Sequence, residues 1–247
     1  MRRLMVMISL LVLLSMACTF DVQTLTPTLE VPTQSGPQIQ TETPDPVTGQ
    51  VLDGPDINYN GIRFTLDPAL GSRLYVFEDV ITLEGATAHN IRFALTPEEY
   101  CQTWCLMVYP VAEFEQAFGT FVFPPAGYRG GAAVIFEAQK MSLSLQNGSG
   151  DRGLETFGQD HYNVSNESLK YVFRGYNADK QYGIYVQVPI HATSLPDVAP
   201  TMTTSVQDIF SYNQKTAEAM NMLASADFTP NLDLLDALVA SIDVKAP

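Results

Sequence analysis

The chain has 247 residues, of which 27 are acidic and 13 are basic, so its formal net charge at neutral pH is −14. This charge opposes binding to nucleic acid, because neutralising phosphates requires many Lys and Arg side chains. It also opposes adsorption of the protein surface to anionic lipid. An apolar content of 46% is enough for one sizeable core, and one domain is the expectation for a chain of this length.

The N-terminus has the three parts of a secretory signal. Arg2-Arg3 is followed by an apolar run from Leu4 to Leu14 and then by small residues that end at Cys18. The run is shorter than the roughly 20 residues that a membrane-spanning helix needs. The placement of Cys18 resembles that of the lipidated cysteine of a bacterial lipoprotein. We therefore predict a lipoprotein signal peptide over residues 1–17, with an ordinary secretory signal as the alternative.

Residues 18–54 are predicted to form a lipidated cysteine and a disordered stalk. Eight Thr and five Pro fall between positions 19 and 50 without any Lys or Arg, so neither a helix nor an apolar face can form there. A fully extended stalk would reach on the order of 100 Å at about 3.1 Å per residue. The resulting localisation is the cell envelope, outside the cytoplasm, with the protein anchored to the membrane by lipid.

From residue 55 onward the pattern is mostly that of strands, with alternating apolar and polar residues. A helix start is indicated at Thr96-Pro97, and a short helix is predicted over residues 111–118, ended by Gly119. Asn147-Gly148 indicates a turn. The predicted strands cover residues 61–66, 74–77, 90–95, 106–109, 135–145, 153–157, 169–176 and 182–190.

The C-terminal region changes to a helical period. The apolar face of a first helix is predicted to contain Val206, Ile209, Phe210, Asn213, Ala217, Met220 and Leu223. A second helix opens at Thr229-Pro230, and its inward side is predicted to contain Leu232, Leu235, Leu238, Val239 and Ile242. Strands first and helices last predict an α+β fold, with an antiparallel, meander-rich sheet and the C-terminal helices packed on one face. Residues 55–247 are predicted to form this single globular domain.

Two cysteines remain besides the one in the signal. Cys101 and Cys105 have the spacing Cys-x-x-x-Cys, and in an exported protein a disulfide is the first expectation. Free thiols are one alternative. Another is a copper or redox pair that uses His191, although no thioredoxin-like pattern surrounds these cysteines.

Few other residues indicate chemistry. His89, His161 and His191 lack the spacing of metal ligands, so no metal site, cofactor or catalytic residue is predicted. Aromatic residues are enriched late in the strand region, and they could form a binding surface or pack across strands within the sheet. The possible binding surface consists of Tyr171, Phe173, Tyr176, Tyr182 and Tyr185.

Several short motifs resemble an uncharacterised family of exported bacterial proteins. The motifs are Glu137-Ala-Gln139, Gln146-Asn-Gly-Ser-Gly150, Arg152, Gly158-Gln-Asp160, Asn166, Leu169-Lys-Tyr171 and Phe173-Arg-Gly175. Members of this family are often lipoproteins with a Thr/Pro-rich stalk, like those of Chloroflexi-type bacteria. The resemblance covers roughly residues 60–195 and excludes the two cysteines at 101 and 105. It implies an exported location and one domain, and it implies no reaction.

Two functions follow as hypotheses. The first is a membrane-tethered, non-enzymatic binding or envelope-assembly module whose partner is an envelope protein or a glycan. The second is an extracytoplasmic hydrolase or a thiol or copper redox protein. The second requires that His161 or His191 converge with Asp160, Glu155 or the cysteine pair.

Overall fold

The computed structural model describes residues 49–97, 104–124, 132–200 and 205–245. Its largest element is an eight-stranded, fully antiparallel sheet. The strands, in spatial order, are β1 (Gln50–Asp53), β4 (Arg73–Leu83), β5 (Ala86–Ala94), β6 (Cys105–Pro110), β10 (Tyr182–Pro189), β9 (Lys170–Asn177), β8 (Gly148–Gly158) and β7 (Ala133–Leu145). The strands at its two edges are therefore β1 with the uncovered part of β4, and β7.

Smaller elements surround this sheet. A three-stranded antiparallel sheet contains β2 (Asp56–Tyr59), β3 (Ile62–Thr65) and β13 (Asp243–Val244), and a short pair is formed by β11 (His191–Ala192) and β12 (Phe228–Thr229). The described residues contain the α-helices α1 (Val111–Phe118), α2 (Val206–Met220) and α3 (Leu232–Ala240), and a 3-10 helix (Ser225–Asp227). None of these helices is long and apolar enough to cross a membrane.

The pleat of the central strands sends apolar side chains to both faces of the large sheet. On β10, Ile184 and Val186 belong to the main core, which also includes residues of the three-stranded sheet, α2 and α3. The intervening Tyr185 points to the other face and belongs to a smaller core with Phe114 of α1. We call these the main-core face and the α1 face. The C-terminal helices α2 and α3 both pack on β7.

The α+β fold predicted from the sequence is confirmed. Helix α1 spans residues 111–118 as predicted, and Gly119 ends it in the left-handed conformation with φ 78°. In α3 the predicted inward residues are buried, but the capping residue is Asn231, whose side-chain oxygen accepts a hydrogen bond from the Asp233 N–H at 2.8 Å. Residues 98–103, which include Cys101 and the expected course of the helix after Thr96-Pro97, lie outside the described residues.

Two predictions are corrected by the structure. Residues 50–53, which were placed in the stalk, form β1 and pair with β4; a four-residue edge strand is too short to show a period. In α2 the predicted apolar face is buried only in part: Met220 is fully buried, whereas Val206 and Phe210 are 54% and 47% exposed. The N-terminal turns of α2 therefore contribute little to the core. The signal peptide, Cys18 and the stalk up to residue 48 lie outside the described residues.

Candidate functional site

The predicted aromatic binding surface is largely replaced by core packing. Tyr171 and Phe173 on β9 are fully buried in the main core, and Tyr185 on β10 is 2% exposed in the core beneath α1. Tyr176 is half-buried and packs edge-on against Phe rings that follow α1, and Tyr182 packs against the main core. Since β9 and β10 are central strands with both faces covered, their rings cannot form one exposed surface. These aromatic residues instead pack within the fold, as the alternative prediction of packing across strands states.

The groups of the enzyme hypothesis do not converge in the described part of the chain. The His161 ring packs against the Phe210 ring of α2, with centroids 4.6 Å apart and ring planes inclined by 55°, and His191 is exposed on β11. Among the described residues no hydrogen bond or ion pair joins either histidine to the carboxylate of Asp160 or Glu155. Cys105 is fully buried at the start of β6, while its predicted disulfide partner Cys101 is not described, so the disulfide stays a prediction.

An ion pair lies on the α1 face of β8 and β9. The Glu155 carboxylate accepts hydrogen bonds from both Nη atoms of Arg174, at 2.6 and 2.8 Å, and Glu155 is only 4% exposed. The Nε of Arg174 donates to the carbonyl of Pro124 at 3.1 Å. Burial lowers the pKa of Arg174, but the hydrogen bond and charge of Glu155 outweigh it, and the net direction is upward. Both charges are thus engaged within the fold, and they tie the loop after α1 to the sheet.

Lys170 lies beside this ion pair without a charged partner among the described residues. It stands opposite Glu155 in the β8–β9 register. Partial burial lowers the pKa of its ammonium group, because desolvation disfavours the charged form. The carboxylate of Glu155 is already taken by Arg174, which explains why Lys170 is left without an ion pair.

The β7 edge of the large sheet is closed by residues from the C-terminal region. At a bulge in β7, Gln139 has φ 53°, and its N–H donates to Asn221 Oδ1 at 2.6 Å. Its side-chain amide donates to the carbonyls of Met220 and Leu223 at 2.7 and 3.1 Å, at the end of α2. The bulge therefore exchanges ladder hydrogen bonds for bonds that cap α2. A shallow polar groove of about 330 Å³ beside it is lined by Glu137, Ala138, Gln139, Lys140 and Asn221.

A buried charge network fastens α3 to the same edge. Arg152 of β8 donates through Nη1 to the carbonyl of Gln139 and through Nη2 to Asp236 Oδ2 at 3.3 Å. Its Nε lies 3.3 Å from Asp236 Oδ1 without the alignment of a hydrogen bond. The Tyr171 hydroxyl donates to Asp236 Oδ1 at 2.9 Å. Burial, followed by the charge of Asp236 and the hydrogen bond to it, raises the pKa of Tyr171 well above its usual value.

At the opposite edge of the sheet, no described strand pairs with the outer side of residues 77–83 of β4. Strand β1 pairs only with residues 73–76, and the pairing continues with the Gly54 N–H donating to the Ser72 carbonyl at 3.2 Å. In an antiparallel ladder, alternate residues direct both backbone groups to the same side. The even-numbered residues of β4 therefore point away from β5, and these include Val80 and Thr82.

No described residue bonds to the backbone of Val80 or Thr82 on that side. Their side chains are also accessible, since Val80 is 51% exposed, and Leu83 at the end of the strand is 39% exposed. We call residues 79–83 the β4 edge. An open edge of this kind can accept an additional strand, whose backbone then completes the ladder.

On the neighbouring strand β5, a side chain binds a backbone N–H that has no strand partner. On β5 the N–H of His89 lies beyond the end of the pairing with β6, and it donates to Glu113 Oε1 of α1 at 2.9 Å. The His89 Nδ1 contacts the same carboxylate oxygen at 2.5 Å. The β4 edge has no equivalent side-chain cap within the described residues.

Comparison of the chain with models of protein families, with curated proteins and with solved structures finds no match.

Proposed function

We propose that the chain is an exported bacterial lipoprotein that displays a non-enzymatic binding module at the cell envelope. The order of its sequence features carries this proposal. A positive start, a short apolar run and Cys18 are followed by a Thr/Pro-rich segment, and the first described strand, β1, begins at residue 50. In this proposal a lipid on Cys18 anchors the protein and the Thr/Pro-rich segment separates the fold from the membrane.

The β4 edge is the surface best suited to binding. Val80 and Thr82 offer two N–H donors and two carbonyl acceptors in register, and their side chains are exposed. Such a row of backbone groups is complementary to an extended peptide segment, which supports an envelope protein over a glycan as the partner. The proposal also includes membership of the exported lipoprotein family that the sequence motifs resemble.

Metabolic labelling tests the anchoring step. The full chain is produced in a bacterial host that is fed an alkyne analogue of palmitate, and the label is then detected on the protein after membrane fractionation. We expect label in the membrane fraction for the natural chain and for the matched control Thr19→Ser, and loss of label for Cys18→Ser. Undiminished label on Cys18→Ser, or a cytosolic protein that retains Met1, would contradict the proposal.

A further inference from the structure

The sequence that precedes β1 is unsuited to a regular continuation of that strand along the β4 edge. In the β1–β4 register Gln50 stands opposite Val76, so positions 48, 46 and 44 would stand opposite residues 78, 80 and 82. At these even positions the added strand must donate its N–H to β4. Positions 46 and 44 are Pro46 and Pro44, which have no N–H to donate. A strand that completes this ladder must come from elsewhere.

We propose that this strand is the β4 edge of a second copy of the chain, paired antiparallel about a two-fold axis at Ile81. This inference rests on the proposed function in one respect: it names the partner that binds at the β4 edge. In this pairing Val80 stands opposite Thr82 of the second copy, and Thr82 opposite its Val80. Each of these two pairs exchanges two backbone hydrogen bonds, so the donors and acceptors of both edges are all used.

The side chains of the edge are self-complementary in this register. Ile81 meets Ile81 of the second copy on the α1 face, and the β-branched Val80 and Thr82 meet on the main-core face. Asp79 stands opposite Leu83. Within residues 79–83 no two like charges stand directly opposite each other, as an isologous interface requires. Just outside this stretch, Glu78 stands opposite the turn residue Glu84 of the second copy, and this pair opposes the contact.

The position of Gly49 excludes the neighbouring register that is centred at Val80. A two-fold axis at Val80 would place Leu83 of the second copy opposite Phe77. That position is occupied, because Gly49, next to the first paired residue of β1, lies so close that a Cβ on it would come within 2.8 Å of the Phe77 ring and 3.0 Å of the Val76 carbonyl. An axis at Ile81 pairs residues 79–83 and brings the second copy only as far as Glu78, where its chain turns at Glu84, one position short of Phe77 and Gly49.

Charges next to the edge are engaged within each copy. The Asp79 carboxylate accepts from Arg92 Nε and Nη2 at 2.7 and 3.1 Å. Glu78 accepts from the Tyr59 hydroxyl at 3.0 Å. The remaining opposition comes from Glu78 facing Glu84 of the second copy and from the overall charge of −14 on each chain, and salt screens both. Pairing should therefore strengthen as salt concentration rises, and anchoring copies on one membrane would raise their effective concentration.

Cysteine cross-linking tests the pairing in the full chain. Single substitutions at positions 79 to 83 are oxidised in whole cells, and dimers are counted on non-reducing gels against the parent chain. Ile81→Cys alone places two cysteines directly opposite each other, at the short Cα separation of a non-hydrogen-bonded pair, which suits a disulfide. We expect a dimer maximum at Ile81→Cys and at most a trace with Thr87→Cys, an exposed control on β5. A maximum at another position, or none, would overturn the pairing.

A second variant guards against a chance cross-link. Adding Val80→Pro to Ile81→Cys removes an N–H that points out of the edge and leaves the β4–β5 ladder intact, so dimers should be lost. Their persistence would count against strand pairing. Repeating the assay with Cys18→Ser separates the two proposals. Dimers without lipid would support the edge pairing even if anchoring failed, and lipidation without dimers would overturn the pairing alone.

Discussion

The two edges of the eight-stranded sheet are treated differently by the fold. At the β7 edge, Gln139 and Gln146 both donate their N–H groups to the C-terminal region, to Asn221 Oδ1 at 2.6 Å and to the Ile242 carbonyl at 2.9 Å. At the β4 edge, Val80 and Thr82 have no such acceptor among the described residues. Edge protection is therefore a local property: tertiary contacts supply it at the β7 edge, and no described residue supplies it at the β4 edge.

The closed edge depends on amide side chains as much as on backbone. Asn147 follows β7, and its Nδ2 donates to the Val244 carbonyl at 2.7 Å while its Oδ1 accepts from the Val244 N–H at 3.1 Å. These bonds join the end of β7 to β13, about a hundred residues away in sequence. Removing a C-terminal side chain that bonds to the β7 edge should therefore lower the free energy of unfolding. Changes that affect only the backbone groups of the β4 edge that point away from β5 should leave it nearly unchanged.

The largest expected effect is at the closed edge. Asp236→Ala would leave Arg152, which is 5% exposed, without its carboxylate partner and would also remove the acceptor of the Tyr171 hydroxyl. We expect the free energy of unfolding to fall by about 3 kcal/mol, as for other broken buried ion pairs. Urea denaturation measures it. The control Asp233→Ala changes an exposed carboxylate on the same helix and should cost less than about 1 kcal/mol. Equal losses for the two variants would refute a special role for Asp236.

The next effect compares two prolines on adjacent residues of the open edge. Ile81 directs its N–H towards β5, so Ile81→Pro should remove a ladder hydrogen bond and cost about 2 kcal/mol. Val80 directs its N–H outward, so Val80→Pro should change the free energy of unfolding by less than about 1 kcal/mol. Both are measured by urea denaturation of the same protein preparation under non-associating conditions. A larger loss for Val80→Pro would show that the assigned direction of these groups is reversed.

Sequence patterns predict most strands of the large sheet, but they do not predict which of its two edges is closed. Alternation locates seven of the eight strands of the large sheet, because each carries an apolar face. It misses β1 and most of the β4–β5 hairpin, whose outer residues face solvent. Whether Val80 points outward depends on the register of β1 and β4, whose paired residues run from Asp53 with Arg73, 20 positions apart, to Gln50 with Val76, 26 positions apart.

Local sequence patterns also do not predict the buried charge network of Arg152 and Asp236. Arg152 and Asp236 are separated by 84 positions, and each alone resembles an ordinary surface charge. The prediction of an aromatic binding surface is wrong for a related reason. The alternation of residues along β9 places Tyr171 and Phe173 on the same face of the sheet, but it does not predict that this face is buried. The excess of β-branched and aromatic residues there indicates a buried sheet as readily as a binding surface.

The smallest expected effect concerns the turn that ends the open edge. Glu84 and Gly85 connect β4 to β5 with φ values of 52° and 87°, as a two-residue turn with two left-handed residues requires. Asn adopts this conformation more readily than Glu, so Glu84→Asn should raise the free energy of unfolding by about 0.5 kcal/mol. The control Glu84→Gln removes the same charge without the conformational gain. If the two variants are equally stable in urea, the gain is electrostatic; a higher stability of Glu84→Asn would show that backbone conformation at the turn limits the stability of the hairpin that carries the β4 edge.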